Sequence, residues 1–141
     1  MRELSFETGL VTYALNGSVQ VTFNPTDSAF VERLFNTFDS LDKKQEAYKA
    51  EVDQTADSRA VFDVARKWDG EMRTMIDDVF QQPVCDTLFG SMNVYAMASG
   101  LPAWVNLLLT IMEEIDTTFA REQKATNPRL QKYMEKYKGR K

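Results

Sequence analysis

The spacing of apolar residues along this chain changes from two to three-and-four, and each change predicts a change of element. Over residues 3–23 the spacing is two: Leu4 and Phe6, then Val11 and Tyr13, alternate with more polar or smaller neighbours, as in a half-buried strand. The parity switches across Gly9, which an inserted bulge residue would do. Asn16-Gly17 predicts a hairpin turn. A two-residue loop would pair Tyr13 with Gln20 and put the apolar sets of the two strands on opposite faces. A three-residue loop, Leu15-Asn16-Gly17, instead sets Tyr13 opposite Val19 and Val11 opposite Val21 on one face, with Gly17 left-handed, and is preferred. An isolated hairpin is marginal in water, so this face should pack on helices or on another subunit.

After Asn24-Pro25-Thr26-Asp27, where Pro25 stops the ladder and Thr26 or Asp27 can cap a helix, the helical spacing begins. Val31, Leu34, Phe38, Leu41, Tyr48 and Val52 form one stripe of a helix of about 25 residues, which Gln45 interrupts. A polar break at residues 54–58 precedes a second stripe of Val61, Val64, Trp68, Met72, Met75 and Val79. The two read as an antiparallel helical hairpin or as a single long helix. Gly70 costs the second helix stability and could permit close backbone approach. Pro83 is suited to start a short helix that Phe89-Gly90 ends, and Ser91 to cap another running to Ala98. From Trp104 to Phe119 the chain is apolar nearly all round, which predicts a helix in the middle of the core. Asn127-Pro128 precedes a last segment, Arg129 to Lys138, with Leu130, Tyr133, Met134 and Tyr137 on one face.

The expected fold is mainly α with an N-terminal β-hairpin (α+β), built as an antiparallel helical bundle. One globular domain spans 1–126, with the hairpin at 3–23 and helices over 28–120, and a basic C-terminal helix or tail occupies 127–141. Charge sharpens that division. Residues 121–141 hold eight Lys/Arg against two Glu, a balance of +6, so with a total of −4 residues 1–120 carry −10. The tail admits three readings: a solvated or frayed end, a partner-binding helix, or a nucleic-acid contact using Tyr133 and Tyr137 among the basic residues. The acidic body repels phosphate, so nucleic acid is not the expected partner.

Chemistry is sparse. The 141 residues contain no His, which removes the commonest general base and metal ligand, and no CxxC or phosphate-cradling glycine loop. Cys85 stands alone and reads as a small buried hydrophobe in a reducing compartment. The acidic clusters Asp77-Asp78 and Glu113-Glu114-Asp116 read as solvated or capping groups, because adjacent helical residues point about 100° apart. Met92, Tyr95 and Met97 lie outside any clear period and read as core filling rather than as an adaptable binding surface. No enzyme, cofactor or metal is expected. The N-terminus has no secretory apolar region, and Leu101 to Ile115 is too short and too interrupted to cross a membrane.

Two stretches carry a resemblance. Phe23-Asn24-Pro25-Thr26-Asp27 followed by Phe30, and Ile76-Asp77-Asp78-Val79-Phe80 followed by Leu88-Phe89-Gly90 and Asn93, resemble segments of the tail assembly chaperones of long-tailed bacteriophages and prophages of Gram-positive bacteria. The matching positions are Asn24, Pro25, Asp27, Phe30, Ile76, Asp77, Phe80, Phe89, Gly90 and Asn93. Gln81-Gln82-Pro83 stands where many members have Gly-Glu-Gly. The resemblance implies a non-enzymatic factor of the bacterial host cytoplasm that self-associates, coats the tape measure protein and promotes assembly of the tail tube protein around it. Partner contact is then expected at Arg129, Leu130, Lys132, Tyr133 and Tyr137. The alternatives are a head–tail or tail-completion subunit retained in the particle, and a small nucleic-acid-binding protein using the tail.

Overall fold

A computed structural model describes residues 1–124, an N-terminal β-hairpin followed by a mostly helical chain. The last residues of the expected domain and the whole expected tail, 125–141, lie outside the described residues. Strands β1 (Val11–Leu15) and β2 (Val19–Phe23) pair antiparallel, with Leu15 opposite Val19, Tyr13 opposite Val21 and Val11 opposite Phe23. The loop has the expected three residues, but they are Asn16-Gly17-Ser18, so the register differs from the expected one by two. Asn16 and Gly17 both take left-handed conformations (φ 50° and 68°), and Ser18 closes the loop by donating to the Leu15 carbonyl. This placement keeps Leu15 out of the exposed turn and adds it to the apolar face. A slip of two preserves parity, so the expected face is the observed one.

The strand does not extend back to residue 3. The residue that would pair with Gly9 is Pro25, which has no N–H to give a ladder. Gly9 is left-handed (φ 74°), and a Cβ there would lie 2.5 Å from the Asn24 side chain. Asn24 takes over the connection: its Nδ2 donates to the Thr8 carbonyl (2.9 Å), while its Oδ1 accepts from the N–H and hydroxyl of Thr26. Residues 1–10 therefore run without regular structure, and Leu4 and Phe6 are 90% and 83% exposed.

Asp27 caps helix α1 (Ser28–Gln54) by accepting from the Ala29 N–H. A break at residues 55–59 separates it from α2 (Ala60–Phe80), so the two stripes belong to two helices. They are antiparallel: Arg33 donates to the Val79 carbonyl, Lys44 meets Glu71, and the Trp68 indole donates to Glu51. Beside the hairpin, the Phe23 ring stacks between Tyr13 (4.8 Å between centroids) and Phe30 (4.2 Å), and Phe80 tilts against Phe23 and Phe30 at 6.4 Å. The hairpin's apolar face is thereby cemented to the α1–α2 pair. Nothing approaches the open side of Gly70, so it admits no close contact.

Helix α3 (Cys85–Phe89) follows a left-handed residue at Gln81. The helix expected from Ser91 to Ala98 is absent. That stretch forms turns and then a minimal hairpin, β3 (Met97–Ala98) with β4 (Leu101–Pro102), closed by left-handed Ser99 and Gly100. Its Val94 and Ala96 carbonyls accept the N–H groups of Trp104 and Ala103 and so satisfy the start of α4 (Ala103–Lys124).

Helix α4 lies along α1: the Trp104 ring packs on Phe38 and its indole donates to Gln45 Oε1 (2.6 Å). The break in the α1 stripe is thus the acceptor that a buried indole needs. Trp104, Leu108, Ile111, Ile115 and Thr118 are buried at alternating spacings of four and three. Contrary to expectation, α4 is not buried all round: Leu109 and Phe119 are 36% and 42% exposed, and Leu107 is half-buried. Among the described residues no helix is long and apolar enough to cross a membrane.

Candidate functional site

A side of α4 that carries Leu107, but neither Leu109 nor Phe119, faces the hairpin across an open groove of about 670 Å³. One wall is β1, whose alternation aims Tyr13 and Leu15 at the helices; Phe23 joins them. Leu88 and Phe89 of α3 and the following Met92 make a second wall. The α4 residues Ala103, Asn106, Leu107, Thr110, Ile111 and Thr117 line its length. The charged groups in the lining are Glu113 and Glu114, and no Lys or Arg is among them. The surface is mixed, largely apolar and open along one side, which suits an elongated apolar segment better than an enclosed small molecule.

Tyr13 ties the two long walls together. Its hydroxyl donates to Glu114 Oε2 at 2.7 Å. Burial, with the Glu114 carboxylate beside it, pushes the phenol up to about 12, so it stays protonated and donating through the neutral range.

The motif positions sit elsewhere in the fold and build the frame. Asn24 and Asp27 shape the turn and cap α1, Pro25 is buried, and Phe30, Ile76 and Phe80 are core. Asp77 Oδ1 accepts the N–H groups of both Val84 and Cys85 at 2.9 Å, and so caps α3 from seven residues upstream. Gly90 holds φ 56°, ψ −129°, a conformation natural to glycine alone. Asn93 Oδ1 accepts from the Tyr95 N–H. Phe89 is the motif residue that reaches the groove. The positions expected to contact a partner, Arg129, Leu130, Lys132, Tyr133 and Tyr137, lie outside the described residues.

Two features were missed from the sequence. Arg73, most of it shielded from solvent, bonds Asp69, Asp86 and the carbonyls of Gly90 and Met92, clasping α3 and its exit loop to α2. The groove itself joins residues about a hundred positions apart. Its one sequence signal is the surplus of apolar residues on α4 beyond what a single buried face requires. Met92 and Met97 are exposed rather than core filling, while Tyr95 stacks on Tyr48 (4.4 Å).

Cys85 is fully buried, and burial together with nearby Asp77 pushes its thiol well above the usual range, which keeps it protonated and unreactive. Among the described residues no group of three His, Cys, Asp or Glu converges on a point where a metal ion could sit. Comparison with known proteins finds no matching family model, no significantly similar curated protein and no significantly similar solved structure.

Proposed function

We propose that this chain is a tail assembly chaperone, a non-enzymatic factor that holds a tape measure protein in solution and delivers it to tail tube protein in a bacterial cytoplasm. The resemblance around Asn24–Phe30 and Ile76–Asn93 motivates this reading, and the observation that supports it is the open groove between the hairpin and α4. A long, aggregation-prone client presents amphipathic helices whose apolar stripes need cover. A groove floored by Phe23, Leu107 and Ile111, walled by Phe89 and Met92, can supply it in the helix-in-groove mode. Exposed Met92 adds adaptable contact area, which suits varied client sequences.

The test is co-expression with the tape-measure-like protein encoded beside this chain, followed by co-purification of the pair in soluble form. The expected result is a soluble complex that Leu107→Glu abolishes while the variant's own thermal unfolding stays cooperative. A complex that survives Leu107→Glu but is lost on deleting residues 125–141 moves the contact to Arg129, Leu130, Lys132, Tyr133 and Tyr137. If no complex forms and the client remains insoluble, the chaperone reading fails. Stoichiometric recovery of this chain in finished particles would instead make it a retained structural subunit.

A further inference from the structure

We propose that residues 3–7 are an exchange arm. In a client-free dimer of this chain, each copy lays Leu4 and Phe6 along the open edge of the other copy's β1, adding a strand beside the groove. The inference goes beyond the client reading and does not depend on it. Three observations carry it.

The first is the arm. Glu3-Leu4-Ser5-Phe6-Glu7 alternates like a strand with one apolar face. It joins no ladder in its own chain, and Leu4 and Phe6 are the exposed side chains noted above. Its root also points away from its own open edge. Asn24 Nδ2 holds the Thr8 carbonyl on the β2 side of the hairpin, and Gly9 lies against the same side chain.

The second is the edge. In the hairpin ladder Gln20 lies opposite Ala14, and Thr22 opposite Thr12. Gln20 aims its carbonyl away from β1, where Gln82 Nε2 covers it at 2.8 Å. Opposed residues of an antiparallel pair share this geometry, so Ala14 and Thr12 aim their N–H groups out of the other edge of β1. Both residues are exposed, and Ala14 borders the groove. Such an edge is a template for a further strand. A strand added there with Leu4 and Phe6 on the face of Tyr13 and Leu15 turns them toward the Leu107 and Ile111 side of the groove, and turns Ser5 outward with Ala14.

The third is size, which selects a second copy as the partner. The arm's five residues span about 17 Å, the length of the five-residue β1. Hiding one Leu and one Phe in each copy removes about 600 Å² of apolar surface, and the surface that receives them brings the total to about 1,200 Å². That is the lower bound of a specific interface, and it is reached because two-fold symmetry uses each contact twice. A single arm on an unrelated protein would bury only about half as much.

Sedimentation equilibrium of the full chain, from low to high micromolar concentration and without any client, tests this. The expected result is a reversible monomer–dimer equilibrium. Phe6→Glu raises its dissociation constant at least about tenfold, while Phe6→Leu stays close to wild type. Thermal melts of both variants at monomer concentration match wild type, because Phe6 is exposed in the single chain. A second measurement maps the contact. Ser5→Cys and Ala14→Cys are prepared as separate proteins, mixed and oxidised, with buried Cys85 held out of the reaction. The expected main product is the disulfide dimer of one variant with the other. A chain that stays monomeric, a dimer that Phe6→Glu leaves intact, or disulfides mainly between like variants each overturn the proposal. No client enters these measurements, so their failure leaves the co-purification test standing, and failure of that test leaves the dimer standing.

Discussion

The bond between Tyr13 and Glu114 joins the hairpin directly to α4, and Tyr13→Phe removes it while keeping the ring that stacks on Phe23. A hydrogen bond to a carboxylate contributes about 1.5–3 kcal/mol when buried, and the half-exposed position here brings the expected loss to about 1–2 kcal/mol at pH 8. The effect carries a pH signature. The phenol is raised from about 10 to about 12 in the folded chain, so the folded state holds the proton more tightly than the unfolded one. Its contribution is fully present below pH 10 and is lost as pH rises from 10 through 12. The stability difference between wild type and Tyr13→Phe should therefore be flat from pH 7 to 9 and shrink by about 1–2 kcal/mol by pH 11.5, after allowance for water at the rim. Urea unfolding of both proteins at a series of pH values measures this, and taking the difference cancels the other tyrosines and the lysines. In urea the loss at pH 8 corresponds to a midpoint shift of about 0.5–1 M, for a chain of this size. A difference that stays constant to pH 11.5 would refute the reasoning, because it would mean that Tyr13 ionises as freely in the folded chain as in the unfolded one.

Asp77→Ala deprives Val84 and Cys85 of their shared acceptor and should cost about 1–2 kcal/mol, with Asp77→Asn retaining a good part; urea unfolding of the two variants checks it. Gly70→Ala and Gly90→Ala should move in opposite directions in thermal melts although a Cβ meets nothing at either site. At Gly70, inside α2, alanine stabilises by up to about 1 kcal/mol. At Gly90 the conformation is closed to other residues, and alanine costs about 1–3 kcal/mol.

Local physics determined much of this protein from its sequence. Alternation at Val11–Tyr13, the Asn16-Gly17 signal, the Asp27 cap and the two long stripes sufficed for a hairpin followed by long amphipathic helices, because each depends on residues within a few positions of one another. Parity also survived the error in register, since a slip of two leaves every side chain on its own face. What failed was whatever depended on a distant partner. Gln45 looked like a flaw in a stripe until Trp104, 59 residues later, needed an acceptor. Asp77 read as either a solvated or a capping group, and only the turn of the chain, which brings the N–H groups of Val84 and Cys85 to it, decides for capping. Residues 3–7 alternate like a strand, yet Pro25 leaves no ladder for them to join. The apolar circumference of α4 spoke for full burial, whereas its tertiary neighbours leave Leu109 and Phe119 exposed and Leu107 at an open groove. Composition can say how much apolar surface a chain must hide. Only the arrangement of the elements decides which part stays open, because burial is a property of the neighbours that arrive and not of the residue itself.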